Sequence, residues 1–369
     1  MKKTLREAVS YGDFVTAGLY LALLIFGVLM VRSATFGTRF ANLGNRQIFW
    51  AVLAFGAFSL AFLIPYAIWV EYSYLLYGLC VAVLLSMPVL GHYVGGHKSW
   101  LYIGPIGFEP SEFAKVAAAL AGAAFIKELV GRTMGWREIG ILSGIIGLPM
   151  LLTLLQPDFG TTTTFIPLIA VALYLSFLPL TQIVKWAAIG ILGLMLLLAL
   201  GWFTFLKPYQ KDRIITFVHP TANTRGAGYQ VNQARIAVGS GELLGKGLYS
   251  GTQNRLNFLP APHTDFIFGV VAEETGFLGS LALLGLYLSL LLRFLSTASA
   301  ARDAEGRFIV LCAFAIILYH VLINIGMVIG LVPTTGIPLP FLSYGGSFLV
   351  SMSLFVGLAA NVRSRRYAQ

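Results

Sequence analysis

Charge is what this 369-residue chain has least of: Asp, Glu, Lys and Arg together make up 11% of it. Soluble domains carry about a quarter. A water-facing surface cannot be built from so few ionic groups, which excludes a soluble globular enzyme. Acids are the scarcer sign, 15 against 25 Lys and Arg, giving a net charge of +10. The cations are scattered among short polar stretches instead of forming one stripe, which excludes a nucleic-acid binder. The two cysteines, Cys80 and Cys312, lie far apart inside apolar runs and read as small buried hydrophobes, not as a disulfide or thiolate metal centre. Nor do the five histidines (His92, His97, His219, His263, His320) show metal-ligand spacing.

What fills the chain is apolar residues: 57% of the total, with mean hydropathy +0.81. A helix needs roughly twenty such residues to cross a bilayer. Ten runs of that kind occur, near 14–31, 47–64, 70–90, 113–130, 139–156, 161–179, 183–206, 266–292, 308–331 and 341–361. The expected fold is an all-α polytopic membrane protein, a single ten-span domain over 1–369. With both termini cytoplasmic, Lys2, Lys3, Arg6, Lys127, Arg132, Arg137, Arg302, Arg307, Arg363, Arg365 and Arg366 fall on the inner side. That satisfies the positive-inside rule once the longest outer loop is discounted. The opening MKKTLREAVSYGD reads as the flank of a first span, because the run after it is too long for a signal peptide and no small-residue cleavage site closes it.

Two outer loops interrupt the pattern. Residues 91–111 (GHYVGGHKSWLYIGPIGFEPS) are rich in Gly and Pro and predict irregular backbone, anchored at the interface by Trp100, Tyr102 and Phe108. Residues 207–265 form a loop far longer than a connection requires. Within it GYQVNQARIAV suits a short helix lying on the membrane, GSGELLGKG a flexible turn carrying Lys246, and the whole an ordered cap over the outer face. Pro149 is expected to kink the fifth span.

The unusual polar residues collect on that same side. Glu112 and Lys115, three apart in EPSEFAK, can pair on one helix face, as a structural bridge or as part of a site. Asp158 in QPDFG ends the fifth span, as a helix cap or as a reactive acid. Asp265 in FLPAPHTDFIF stands at the threshold of the eighth, where a carboxylate is costly enough to require a reason. His263 and Thr264 adjoin it. GIPLPFLSYGGSF opens the tenth span with Ser343, Tyr344, Gly345, Gly346 and Ser347. Glu273 and Glu274 lie two turns beyond Asp265, better placed for support than for chemistry. Lys211, Arg213, Arg225, Arg235, Lys246 and Arg255 supply cations suited to phosphate. Together these describe an acidic and cationic groove for an amphiphilic phosphorylated substrate, such as a lipid-linked sugar. They do not separate reacting that lipid from turning it over.

In order along the chain, QPDFGTT, GYQVNQARIAVGSG, LLGKGL, FLPAPHTDFIF, AEETGFLG and GIPLPFLSYGGS resemble the SEDS family (shape, elongation, division and sporulation), with motifs closer to its elongation members. The resemblance covers nearly all ten spans. It implies a peptidoglycan glycosyltransferase that polymerises lipid II into β-1,4-linked strands at the outer face of a bacterial cytoplasmic membrane. It also implies a class B penicillin-binding protein and other elongation-complex proteins as partners. Asp265 matches the family's essential aspartate, Glu112 and Lys115 its PSE-x-x-K pair, and Asp158 the acid of QPD-G. Two departures add negative charge: Glu109 where Gln is expected, and Glu242 where Gly is expected.

The mechanism so implied is inverting. Asp265 accepts the proton of an acceptor hydroxyl, and Lys115, Arg213 and Lys246 are candidates to hold the departing pyrophosphate. No cofactor is required; a divalent cation (Mg or Mn) can share that charge. Ser343, Tyr344 and Gly345 are candidate substrate contacts. The competing readings are a lipid II flippase, which needs ionisable groups along a path through the midplane, and a non-catalytic scaffold of the elongation machinery.

Overall fold

Among the described residues of this computed structural model (13–94, 97–104, 106–129, 134–175, 181, 185, 215, 217, 227–256, 258–259 and 261–366), helices dominate. The expected span 183–206 apart from Lys185, together with Lys211, Arg213, Arg225 and the basic residues Lys2, Lys3, Arg6 and Arg132, lies outside that set. The chain runs α1 (Phe14–Thr35), α2 (Ala41–Leu63), α3 (Tyr66–Glu71) and α4 (Ser73–Leu90), then three short strands, then α5 (Pro110–Glu128) and α6 (Trp136–Leu154). There follow α7 (Phe159–Thr163), α8 (Ile166–Tyr174), α9 (Ala227–Ser240), α10 (Thr252–Arg255), α11 (Ile267–Ser299), α12 (Ala304–Ile329) and α13 (Gly346–Ser364). Seven of these (α1, α2, α4, α6, α11, α12, α13) are long and apolar enough to cross a membrane. Their outward positions are apolar too, as at Val52, Leu75 and Leu288, which suits hydrocarbon and not water.

α13 is the axis of the bundle. It is buried along nearly its whole length and packs against α2, α12 and α5. Gly357 permits a close approach: a Cβ there would lie 2.5 Å from the Phe58 carbonyl of α2. The Ala-rich α5 is buried in the same way, its small side chains letting α4, α6 and α12 come near. On one face of the bundle Arg293, toward the end of α11, binds Asp13 at the start of α1 (2.5 Å). On the opposite face the α1–α2 connection meets the candidate groove, where Phe40 stacks on His263 at 4.9 Å.

Several expectations need correction. Residues 91–111 are not irregular. Strands β1 (His92–Val94), β2 (His97–Ile103) and β3 (Ile106–Phe108) form an antiparallel sheet in the order β1-β2-β3, since each short connection permits a hairpin. Pro149 lies inside α6, within the span where the sequence placed it. α9 forms as expected but rests on protein, with Ala234 and Ala237 fully buried and α11 and α12 beneath them.

The expected flexible turn at 239–247 is pinned by backbone hydrogen bonds instead, with Leu243 and Leu244 exposed. α11 is 33 residues long, roughly 50 Å, too long for one bilayer crossing. It breaks at Gly276 (φ 67°, ψ −164°), a conformation open essentially to glycine alone. The loop repairs the break. Lys246 N and Gly247 N donate to the Glu273 and Glu274 carbonyls (3.0 Å each), while Phe277 N and Leu278 N donate to the Glu242 and Leu243 carbonyls (2.8 and 3.1 Å). Membrane helices tolerate interruptions only where protein satisfies the freed backbone in this way.

Candidate active site

The segment expected to open the last span does something different. α13 begins only at Gly346, because Pro333, Pro338 and Pro340 and the left-handed Gly336 (φ 75°) forbid a helix before it. Residues 337–343 are instead a largely buried, irregular run inside the bundle, with Phe341, Leu342 and Ser343 fully enclosed. Tyr287, eleven residues past the break in α11, donates its hydroxyl to the Pro340 carbonyl.

Asp265 is fastened to that run through its neighbours. Tyr344 N donates to the His263 carbonyl (2.7 Å), and Ser343 Oγ donates to the Thr264 carbonyl (2.7 Å) while accepting from Leu339 N (2.8 Å). Asn324 Nδ2 donates to the Asp265 carbonyl (2.8 Å). A Cβ built on Gly336 would stand 3.5 Å from Asp265 Oδ2, so the carboxylate faces the backbone of the run. Asp265 is not the cap of α11; Phe266 holds that position. Burial lowers the pKa of the neighbouring His263, favouring the neutral imidazole, which packs between Phe40 (4.9 Å) and Tyr344 (6.1 Å).

The turn that begins at Asp158 approaches the same run through Gly160. A Cβ on Gly160 would lie 2.7 Å from the Thr335 carbonyl and 3.7 Å from Asp158 Oδ1. Gly160 and Asp265 therefore meet consecutive residues of the run, Thr335 and Gly336. Asp158 does cap a helix: its carboxylate accepts from Thr161 N (3.0 Å) at the start of α7. Glu112 and Lys115 are paired as expected (2.7 Å), both buried, with Ser351 Oγ donating to Glu112 Oε2 (3.0 Å).

Glu109, the departure noted in the sequence, joins this group at the N-cap of α5. Its backbone N donates to Ser347 Oγ (3.0 Å). Burial and the Glu112 and Asp158 carboxylates push its carboxyl up to about 8. The geometry agrees. Thr161 Oγ lies 3.0 Å from Asp158 Oδ2 and 3.3 Å from Glu109 Oε1, and its single proton serves one carboxylate at a time. A proton on Glu109 supplies the second bond.

Among the described residues, the two lysines expected to hold the leaving group are committed elsewhere. Lys246 binds Glu273 Oε1 (2.7 Å), which also accepts from Thr252 N, Thr252 Oγ and Gln253 N at 2.8–3.0 Å. Glu274 accepts from Ser33 Oγ (2.5 Å). These two acids fasten the loop to the broken helix, two turns from Asp265. Lys115 is fully enclosed by the pair with Glu112. Gly345, the residue before α13, takes extended backbone (φ 168°), so it offers length and not a left-handed turn. Sequence reading missed Asn324; an Asn in the apolar run YHVLINIGM was the available signal.

The sequence profile of the FtsW/RodA/SpoVE cell cycle proteins matches residues 15–368. The chain belongs to this family. It is 35% identical over 348 residues to the peptidoglycan glycosyltransferase MrdB of Escherichia coli K12, covering 94% of this chain and 92% of that one. Among solved structures it resembles a chain from work on polymerization and crosslinking by a peptidoglycan synthase complex (28% identity, TM-score 0.80, 97% of this chain and 99% of that one). It also resembles the rod shape determining protein RodA of Thermus thermophilus (26% identity, TM-score 0.70, 97% and 98%). Elongation-type relatives thus match well, although division-type FtsW proteins match at similar identity.

Proposed function

We propose that this chain is a peptidoglycan glycosyltransferase that polymerises lipid II into β-1,4-linked glycan strands during cell elongation, with Asp265 as the general base. The observation that carries this is the mounting of Asp265. Three hydrogen bonds, two from the run at Ser343 and Tyr344 and one from α12, fix the backbone of residues 263–265, and the carboxylate is left beside Gly336. In the proposed reaction the acceptor 4-hydroxyl oxygen forms a bond to the donor's anomeric carbon. The bond from that carbon to pyrophosphate breaks, and the hydroxyl proton passes to Asp265. The α-linked donor gives a β product, and one carboxylate suffices because pyrophosphate leaves without protonation. General base catalysis of this kind supplies about 10²–10⁴-fold.

The other buried acids have distinct parts. Asp158 caps the turn whose Gly160 meets the adjacent Thr335, and Lys115 holds positive potential behind the site without leaving Glu112. Arg213 remains a proposed leaving-group contact. Among the described residues no three His, Cys, Asp or Glu side chains converge to hold a metal. A divalent cation, Mg or Mn, is proposed as a companion of the pyrophosphate. The site is placed on the outer face of the cytoplasmic membrane, with both termini inside. A class B penicillin-binding protein is the proposed partner.

The flippase reading finds less support. The fully buried charged side chains among the described residues are Asp13 at one face and Glu112, Lys115, Asp158, Glu273 and Glu274 toward the other, with no charged path between. The test is polymerisation of purified lipid II by wild type and Asp265→Asn, each with a transpeptidase-inactive partner, with and without chelator. Strands from wild type and none from the variant are expected; near-normal activity in D265N refutes the assignment.

A further inference from the structure

We infer that Asn324 is a positioning residue for Asp265, acting through the backbone of the acid and of the run it faces; this rests on the reading of Asp265 as the base. Asn324 is fully buried on α12, five residues inside the end of that helix. Its amide nitrogen carries two protons and spends both: one on the Asp265 carbonyl (2.8 Å), the other on the Ile337 carbonyl (2.8 Å). Its Oδ1 has no hydrogen-bond partner among the described residues. The amide is thus used for its pair of donors, which no carboxylate, hydroxyl or apolar side chain of similar size supplies.

Both accepting carbonyls precede or lie outside regular helix, where a buried carbonyl needs a donor from elsewhere. Ile337 follows Gly336, the residue that faces Asp265 Oδ2. One side chain therefore sets both ends of that contact, the main chain of the acid and the main chain opposite its carboxylate. One turn along the same face, His320 Nδ1 lies 3.0 Å from the Pro338 carbonyl. The two residues make α12 a rail along which Ile337 and Pro338 are held, and Asn324 alone extends that hold to Asp265.

Asn361 provides a matched control at the opposite face. It is equally buried, and its Nδ2 lies 2.9, 2.7 and 2.6 Å from the Ala61, Phe62 and Ile64 carbonyls, which share its two protons. The test measures kcat and KM for lipid II, per folded molecule, with Asn324→Ala, Asn324→Asp, Asn361→Ala and Asp265→Asn. A displacement of about 1 Å at a reacting group costs about 100-fold. N324A should lose that factor in kcat with KM changed less than about threefold, while N361A loses thermal stability and keeps its turnover. In N324D a protonated acid can donate to one carbonyl only. Its partial activity should fall as pH rises and that acid ionises, a limb that N324A lacks. Turnover of N324A within threefold of wild type, or an equal loss in N361A, overturns the proposal. If N324A does not fold, an N324D pH profile parallel to wild type overturns it instead. Wild-type activity in D265N would refute the base assignment and not the positioning geometry.

Discussion

Lys246→Met separates two roles that one lysine could serve. The ammonium binds Glu273 at 2.7 Å; the carboxylate is fully buried and the lysine side chain is 28% exposed. Removing one partner of a buried pair costs about 3–5 kcal/mol, mostly from the charge left behind. Here the cost should be smaller. Three other donors, Thr252 N, Thr252 Oγ and Gln253 N, stay on the same Glu273 oxygen, and water reaches the lysine side. An expected loss of about 2 kcal/mol follows. Lys246→Met combined with Glu273→Gln removes the stranded charge and should regain half or more of that loss. Thermal unfolding in detergent reads stability, and lipid II polymerisation reads activity. If Lys246 serves the loop, the double variant recovers both. Recovered stability with polymerisation still abolished would refute the structural assignment and restore Lys246 as a pyrophosphate contact.

The Glu109 carboxyl, raised from 4.5 to about 8, favours the folded state while it holds its proton. That stabilisation is complete below about 4.5 and fades as pH climbs through 8. Wild type should therefore lose melting temperature between pH 6 and 9 more steeply than Glu109→Gln, the two meeting at acid pH; parallel curves would contradict the buried-proton reading. Gly276→Ala forces a side chain into φ 67° with its Cβ 2.3 Å from Gly245 N. It should release residues 242–250 to limited proteolysis at a cost of at least about 1–3 kcal/mol, and an unchanged digestion pattern would refute the joint.

Much of the fold was legible because apolar runs and bilayer thickness constrain each other directly. Glu112 and Lys115 were readable as a pair because three residues on a helix fix their separation. Asp158 was readable as a cap because it follows Pro157 and precedes a helix. What hid were contacts set by backbone far away in sequence. Hydropathy could not show that the approach to α13 is a proline-broken run inside the bundle, since Phe341 and Leu342 count as apolar in either conformation. The break in α11 depended on Gly245 meeting Gly276 and on Gly241 meeting the Ala272 carbonyl, and one-dimensional spacing carries no trace of that. Asn324 was overlooked because a lone amide in an apolar helix is ordinarily a packing residue, and only the carbonyls it grips distinguish it.

The joint between α11 and residues 242–247 has a bearing on how substrate arrives. Lifting that stretch away would strand four backbone groups of α11, at several kcal/mol for each one that lipid and not water then covered. It is a fixed wall and not a hatch. A lipid whose tails never leave the bilayer must then reach Asp265 from the side, sliding between helices with its headgroup leading. The growing strand has to leave past some other edge than this one.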